Sequence, residues 1–113
     1  MKILMVCLGN ICRSPMAEGL MRAKIKKYQL DAEVDSAGFE AFHTGDAPDY
    51  RATQVMRQHG IDITSQQSRL FRKSDFDTFD RIYVMDSGNY SDVRSKANGT
   101  DQMKKVDYIL NVL

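Results

Sequence analysis

An unbroken apolar run, Ile3 to Leu8, lies near the start of the chain and is followed by Gly9 and Asn10. A short apolar run bounded by turn residues is typical of a strand that is buried on both faces. Next come Ser14 and Pro15, a pair that suits the N-cap and the first residue of a helix. The N-terminal part therefore predicts a strand, a short loop and a helix in direct succession.

The rest of the chain continues this alternation. Apolar residues at helical spacing predict helices, and short apolar or β-branched runs predict strands. The predicted helices cover 15–28, 48–60, 74–79 and 86–96, and the predicted strands cover 2–7, 32–37, 81–85 and 105–110. This order predicts an α/β fold, a three-layer sandwich in which a four-stranded parallel sheet carries helices on both faces. Ligands of such sheets bind beyond the carboxyl ends of the strands, which is where the first loop would lie.

Length and composition limit the class of protein. The 113 residues fit a single domain over 1–113, and 16 Lys and Arg against 15 Asp and Glu leave a net charge of +1. We therefore expect no nucleic-acid partner, which would require an excess of basic charge. The N-terminal apolar run is too short to cross a bilayer and has no signal-peptide cleavage pattern, so we expect a cytoplasmic protein without a membrane partner. Two cysteines and two histidines without ligand spacing predict no metal site and no cofactor.

The first loop has the pattern C-x5-R-S, from Cys7 through Arg13 to Ser14. Its successive backbone N–H groups can point at one anion, and the following helix adds the positive end of its dipole. Arg13 can hold two phosphate oxygens with its planar guanidinium. This positive field favours a thiolate at Cys7, to which the Ser14 hydroxyl can donate. The predicted phosphate-binding loop comprises Leu8, Gly9, Asn10, Ile11 and Cys12.

These parts are sufficient for a nucleophilic phosphoryl transfer. The thiolate attacks phosphorus, a phosphocysteine forms, and water hydrolyses it without a metal ion. A cysteine at the end of a strand can also be a small core residue, and a strand–glycine–helix junction needs no chemistry. The strand, the Gly–Asn pair, the arginine and the Ser–Pro pair together favour the catalytic interpretation.

The segment VCLGNICRSPMAE, residues 6–18, resembles the signature of the low molecular weight protein tyrosine phosphatases. The similarity continues at 34–38, 47–51, 59–61, 79–80 and 85–86, and so extends over nearly the whole chain. The family's four-stranded parallel sheet flanked by helices agrees with the fold predicted above. The resemblance implies that Cys7 is the nucleophile, that Arg13 is the phosphate clamp and that Ser14 assists the thiolate.

The resemblance also implies roles around the loop. Asn10 would be a left-handed loop residue held by hydrogen bonds from Ser36 and His59. Taken alone, Ser36 could be a hydroxyl at a strand end, and His59 could be a core histidine on an apolar helix face. Phe42 and Tyr50 would form the rim that receives the phenyl ring, although Phe42 could equally fold onto the core.

Cys12 resembles the second cysteine of the family loop. Oxidation could join it reversibly to Cys7 and protect the nucleophile from irreversible oxidation. The alternative is an inert loop thiol.

One part of the family pattern is missing. The family protonates the leaving phenol oxygen from an Asp in an Asp-Pro-aromatic segment after the fourth strand. This chain has no Asp-Pro dipeptide and stops at Leu113, so we expect neither the general acid nor the family's last helix within it. Two explanations are open: the sequence is the ordered part of a longer protein, or the protein is truly truncated. The apolar C-terminal residues favour the first explanation, since natural C-termini tend to be mobile and polar. Asp86 and Asp107 are the nearest carboxylates, but Asp86 suits a helix N-cap and neither is assigned as the acid.

The predicted function is hydrolysis of phosphotyrosine in tyrosine-phosphorylated proteins or peptides, with inorganic phosphate or similar oxyanions as further ligands. An arsenate reductase of the same fold is an alternative, but its chemistry needs extra cysteines after the third strand, and residues 86–99 contain none. A non-catalytic phosphate-binding module is the second alternative, because it would explain the missing acid.

Overall fold

The computed structural model describes residues 1–111 and contains a sheet of four parallel strands. The strands are β1 (Lys2–Val6), β2 (Glu33–Ala37), β3 (Arg81–Val84) and β4 (Val106–Tyr108). Their order across the sheet is β2-β1-β3-β4, so the chain first builds outward on one side of β1 and then on the other. The carboxyl ends of β1 and β3 therefore border the point where the winding direction reverses, which is the usual position of a ligand crevice.

The helices connect these strands. They are α1 (Arg13–Tyr28), α2 (Tyr50–Gln58), α3 (Asp75–Thr78), α4 (Ser87–Lys96) and α5 (Thr100–Met103). Two 3-10 turns cover Ala41–His43 and Ile109–Asn111. The connections β1-α1-β2 and β3-α4-α5-β4 join parallel neighbours, as parallel pairing requires.

Strand β1 separates two apolar cores. Leu4 packs in a cluster with Phe76 of α3 and Val93 of α4, whereas Ile3 and Met5 pack towards α1 on the opposite face. Successive side chains of a strand point to opposite faces, so an uninterrupted apolar run is needed where both faces are covered. The predicted α/β sandwich with four parallel strands and helices on both faces is confirmed.

The start of α1 differs from the prediction. The helix begins at Arg13, and Cys12 rather than Ser14 occupies its N-cap position, without a side-chain capping hydrogen bond. Ser14 lies inside the first turn because its hydroxyl is engaged by the Cys7 sulfur and the Asn10 amide instead of by the helix backbone.

The second half of the chain differs in its boundaries. Helix α2 is shorter than predicted, because Asp49 caps its start by accepting the N–H of Arg51 and His59 ends it as the C-cap. Strand β4 covers only Val106–Tyr108, and the short helix α5 before it was not predicted.

Residues 1–111 contain neither a membrane-spanning helix nor a cluster of metal-ligating side chains. None of the helices there combines the length and the apolar character needed to cross a bilayer. The same residues contain no group of three or more His, Cys, Asp or Glu side chains arranged to hold a metal ion. Val112 and Leu113, which belong to the apolar C-terminal residues of the sequence, lie outside the described part.

Candidate active site

The candidate site is the loop of residues 7–12 between β1 and α1, at the carboxyl end of the central strand. Its backbone turns at Asn10, which has a φ of +54°, a left-handed conformation that asparagine tolerates better than most residues. Gly38, just after β2, lies directly beneath the turn, since a Cβ on it would be 2.8 Å from both the Asn10 nitrogen and the Leu8 oxygen. The loop therefore rests on the backbone of the neighbouring strand's end.

The sulfur of Cys7 is held by polar groups of this loop rather than by the core. The side chain is 3% exposed, and its Sγ accepts the N–H of Asn10 at 3.3 Å. The Ser14 Oγ lies 3.0 Å from the same sulfur and accepts the Asn10 Nδ2 at 2.8 Å. Either atom of the Ser14–Cys7 pair can be the donor. With Cys7 as a thiolate, the Ser14 hydroxyl would donate and the sulfur would accept two hydrogen bonds.

Several backbone donors of the loop are unoccupied. Within residues 1–111, the N–H groups of Gly9, Ile11, Cys12 and Arg13 make no hydrogen bond to another protein group. The first N–H groups of a helix have no partner within the helix, and they carry its positive dipole end. These donors, with the adjacent Arg13 guanidinium, make the loop suitable for an oxyanion.

The Leu8 amide is an exception to this arrangement. Asn89 of α4 is buried, and its side-chain amide can take either of two orientations. In the orientation that matches the surrounding donors and acceptors, its nitrogen donates to Asp86 Oδ1 and its oxygen accepts the N–H of Leu8, both at 3.3 Å. The Leu8 carbonyl in turn accepts the N–H groups of Phe39 and Glu40. In that orientation of Asn89 the protein holds both polar backbone groups of Leu8, and the place of Leu8 in the phosphate-binding loop stays a prediction.

Arg13 extends across the crevice to the end of β3. Its Nη1 donates to Asp86 Oδ2 at 2.8 Å, and both side chains are about half exposed. Asp86 is the N-cap of α4 and accepts the N–H of Asn89, as its position in the sequence predicted. The hydrogen bond from the Asn89 backbone, followed by the one from Arg13, lowers the pKa of Asp86 below its ordinary value. This ion pair, between residues 73 positions apart, was not predicted.

The predicted supports of Asn10 are wrong. Its Oδ1 accepts the backbone N–H of Arg69 at 3.0 Å, and its Nδ2 donates to Ser14. Ser36 instead donates to Glu18 of α1 at 2.6 Å, inside the protein. His59 is exposed at the C-cap of α2, so it is neither a loop support nor a core residue.

The Ser36 hydroxyl donates to the buried carboxylate of Glu18 rather than to a group of the loop. Glu18 also binds Arg22 one turn further along α1, and burial, only partly offset by these hydrogen bonds, raises the pKa of Glu18. The helical spacing of Glu18 and Arg22 permits this pair. Neither Glu18 nor Arg22 is part of the 7–12 loop.

The actual support comes from residues 68–70, which sequence reasoning missed. Ser68 Oγ donates to the Gly9 carbonyl at 3.0 Å, and Arg69 holds Asn10 as described above. Leu70 forms an isolated parallel bridge with Gly38. No local pattern marks this segment, because it is an irregular stretch 59 residues from the loop it holds.

The two predicted rim aromatics lie on segments that contact the loop. Phe42, 76% exposed, is in the 3-10 turn whose His43 ring packs against Gly9. Tyr50, 73% exposed, is the first residue of α2, and the preceding Asp49 N–H donates to the Ile11 carbonyl. Such large exposed aromatic side chains are available to an incoming ring.

The two cysteines are both free thiols, Cys7 buried and Cys12 exposed. Partial burial, followed by the nearby negative charge of Asp49, raises the pKa of Cys12. The second thiol of the loop therefore lies in an environment that disfavours its thiolate.

Comparisons with known proteins agree with this geometry. Residues 2–112 match the sequence profile of the low molecular weight phosphotyrosine protein phosphatases. The chain is 41% identical over 111 residues to a putative low molecular weight protein-tyrosine-phosphatase of Synechocystis, with 96% of this chain and 70% of the relative covered. It is 44% identical over 103 residues to the low molecular weight phosphotyrosine protein phosphatase of Schizosaccharomyces pombe, with 88% and 65% covered.

Among solved structures, a protein tyrosine phosphatase from Entamoeba histolytica, with Hepes in its active site, superposes with a TM-score of 0.93 at 36% identity. That match covers 98% of this chain and 71% of the other. The chain thus spans about two thirds of the length of the proteins it matches. The matched profile, the two relatives and the shared fold establish that this chain belongs to the low molecular weight phosphotyrosine protein phosphatase family.

Proposed function

We propose that this chain carries the nucleophile and the phosphate site of an enzyme that hydrolyses phosphotyrosine in proteins. The observation that supports it most strongly is the position of Cys7 Sγ, which accepts the N–H of Asn10 and lies 3.0 Å from the Ser14 hydroxyl, beside loop N–H groups that have no partner within residues 1–111. A thiolate and an oxyanion site side by side are what nucleophilic phosphoryl transfer requires.

In the proposed complex, the phosphate oxygens bind the N–H groups of Gly9, Ile11 and Cys12 and the start of α1. Arg13 uses Nη1 for Asp86, so its Nε and Nη2 remain free for two phosphate oxygens. Asp86 then acts as a positioning residue that orients the guanidinium at the mouth of the loop.

The reaction has two displacements. The Cys7 thiolate attacks phosphorus, the S–P bond forms, and the P–O bond to the tyrosine ring breaks as the phenolic oxygen takes a proton from water. Water then attacks phosphorus, the S–P bond breaks, and inorganic phosphate leaves with the thiolate restored. Loop amides and Arg13 stabilise the charge on the equatorial oxygens in both steps.

Neither in-chain carboxylate considered above suits the proton transfer to the phenol. The lowered pKa of Asp86 keeps it ionised, and Arg13 and Asn89 occupy its oxygens. Asp107 Oδ1 accepts the Tyr108 N–H and Asn111 Nδ2 next to β4. In the proposed reaction this proton therefore comes from water rather than from Asp86 or Asp107.

Phosphotyrosine is the proposed substrate because two exposed aromatics, Phe42 and Tyr50, lie on segments that contact the loop. Flat rings packed on such side chains gain apolar contact at little entropic cost. We also place the enzyme in the cytoplasm, since both thiols are free and a thiolate nucleophile needs a reducing compartment.

The test is hydrolysis of a phosphotyrosine peptide and of para-nitrophenyl phosphate by the protein and two matched variants. We expect Cys7→Ser to lose about 10³-fold or more of kcat, since removal of a nucleophile eliminates the covalent route. Cys12→Ser should keep nearly all activity, and rapid acid quenching of the active protein should trap one phosphate on Cys7.

Three other outcomes would contradict the proposal. Equal losses in both variants would mean that the nucleophile is not specifically Cys7. Phosphopeptide binding without turnover by the unmodified protein would identify a binding module. Thioredoxin-dependent reduction of arsenate would identify the redox alternative.

A further inference from the structure

We propose that Arg69 is a positioning residue for the phosphate loop, holding the left-handed turn at Asn10 in the shape that activates Cys7. The inference rests on the proposed function of the loop, but it concerns a residue in the irregular segment between α2 and α3, outside the C-x5-R-S motif. Arg69 acts through other residues and does not itself touch the substrate site.

The backbone of Arg69 joins the loop to the end of β2. Its N–H donates to Asn10 Oδ1 at 3.0 Å, and its carbonyl accepts the N–H of Gly38 at 2.9 Å. Gly38 in turn lies in close contact with the Asn10 backbone. A displacement of Arg69 therefore moves both the surface on which the turn rests and the donor that holds its side chain.

A continuous series of hydrogen bonds leads from Arg69 to the nucleophile. The Arg69 N–H donates to Asn10 Oδ1, Asn10 Nδ2 donates to Ser14 Oγ, and the Ser14 hydroxyl lies 3.0 Å from Cys7 Sγ. Asn10 and Ser14 are 2% and 0% exposed, so water cannot readily replace a lost partner in this series. Loss of the first donor would leave a buried amide oxygen unsatisfied.

The Arg69 side chain is fixed at both ends of its guanidinium. Nη1 and Nη2 bind the two oxygens of Asp75 at 3.0 and 3.2 Å, and Nε binds Asp35 Oδ2 at 3.2 Å. Asp75, 1% exposed, begins α3, and Asp35 lies in β2. This planar, two-sided attachment can be made by arginine and not by lysine.

The charges around Arg69 keep this attachment intact. Burial acts to lower the pKa of Arg69, but the hydrogen bonds and charges of Asp75 and Asp35 outweigh it and raise the pKa overall. The guanidinium therefore stays charged, and its removal would leave the buried Asp75 carboxylate with the backbone N–H of Arg72 and the more distant Arg72 side chain.

The test compares Arg69→Gln and Arg69→Lys with Arg72→Gln as the matched control, all in a Cys12→Ser background that leaves one reactive thiol in the loop. Arg72 also pairs with Asp75, at 3.7 Å, but its side chain is largely exposed and it makes no bond to Asn10. Two rates are measured in folded protein: alkylation of Cys7 by anionic iodoacetate and by neutral iodoacetamide. The kcat and KM for para-nitrophenyl phosphate are measured alongside.

We expect Arg69→Gln to lower kcat about 10- to 100-fold, because a misplaced nucleophile costs rates of this size. The iodoacetate rate should fall more than the iodoacetamide rate, since a distorted loop no longer attracts an anion to Cys7. Arg69→Lys should recover part of both effects through one ion pair, and Arg72→Gln should leave both unchanged.

A double-mutant cycle tests the route through Asn10. Asn10→Gly keeps a residue that tolerates positive φ but removes the acceptor of the Arg69 N–H. The effects of Arg69→Gln and Asn10→Gly should therefore combine to much less than their product.

Four results would overturn the proposal: unchanged alkylation rates in folded Arg69→Gln, an equal loss in Arg72→Gln, fully multiplicative effects in the cycle, or, if Arg69→Gln does not fold, wild-type rates in Arg69→Lys. The alkylation rates report on the loop directly. They decide the role of Arg69 even if the unmodified protein hydrolyses no phosphate ester, which would count only against the proposed function.

Discussion

Two strand-to-helix junctions meet at the crevice, and they differ in whether a side chain accepts the backbone N–H groups at the start of the helix. The junction from β1 to α1 uses the loop of residues 7–12, and its N-cap, Cys12, makes no capping hydrogen bond. The junction from β3 to α4 is direct, and its N-cap, Asp86, accepts the N–H of Asn89. Within residues 1–111, the N–H groups at the start of α1 have no partner in the protein, whereas the Asp86 carboxylate accepts the N–H of Asn89 at the start of α4.

The difference shows how a helix start becomes an anion site. Any helix has unpaired N–H groups and a positive dipole at its first turn, but a capping side chain normally uses them. At α1 the polar side chains of the loop are turned elsewhere, since Asn10 and Ser14 bind each other and the Cys7 sulfur. The Asp86 carboxylate of the second junction also accepts a hydrogen bond from Arg13 of the first.

The largest expected effect comes from adding one methyl group beneath the first junction. In Gly38→Ala the new Cβ would be 2.8 Å from two backbone atoms of the loop, which cannot move without opening the turn. We expect a loss of about 1–3 kcal/mol in the free energy of unfolding. The kcat/KM for para-nitrophenyl phosphate should fall about 100-fold, as for other small misplacements of reacting groups.

Gly88→Ala is the control in the second junction. Its Cβ would be 3.2 Å from Asp86 Oδ1, the end of a side chain that can rotate, and alanine favours the helix. Urea unfolding should show a change within about 1 kcal/mol of zero. Equal losses in the two alanine variants would contradict the distinction drawn between the junctions.

The next effect separates the two roles of Asp86. Asp86→Ala removes both the cap of α4 and the partner of Arg13, and should cost about 1 kcal/mol of unfolding free energy. Asp86→Asn keeps an acceptor for the Asn89 N–H and should retain most of that stability. Both variants should raise KM for para-nitrophenyl phosphate several-fold, because Arg13 loses its orientation.

The acid side of the pH range gives an independent check on Asp86. Its pKa is lowered in the folded protein, so its stabilising effect is complete above the ordinary value of 3.8 and is lost as the pH falls through the lower folded-state value. The stability difference between the unmodified protein and Asp86→Ala should therefore shrink below that ordinary value. A difference that grows with acidity would contradict the assignment of the ion pair and the cap.

The smallest expected effect comes from giving the first junction a carboxylate like that of the second. Cys12→Asp places a negative charge at the N-cap of α1, where it competes for the free donors and repels an anion. Inhibition by inorganic phosphate should weaken about fivefold, the effect of about 1 kcal/mol between like charges in water. Cys12→Ser, which is neutral, should bind phosphate as the unmodified protein does, and equal weakening in both would show that the charge is not responsible.

Much of the fold could be predicted because the sequence patterns that indicate it involve residues close together in the chain. The apolar run of β1 indicated burial on both faces, and the strand does separate two cores. Asn10 was predicted to be left-handed and has a φ of +54°. Asp86 was predicted to cap α4 and does so, because a capping side chain bonds within three residues of itself.

The predictions failed where a contact joins distant parts of the chain. His59 stands at a helical spacing from buried residues, but the helix ends just before it and leaves it exposed. Ser36 lies in the strand beside the loop, yet its hydroxyl points to Glu18 of α1. Periodicity and spacing describe one element at a time, and they carry no information about which side chain a neighbouring element presents.

The α/β architecture and the position of the C-x5-R-S loop at the end of a buried strand could be predicted from residue patterns, because both depend on interactions between near neighbours in the chain. Three contacts could be found only in the folded protein: Arg69 and Ser68 hold the loop, and Asp86 binds Arg13. These partners come from segments that meet only after the sheet has formed, when every buried donor and acceptor must find a partner among the groups that packing has brought within reach.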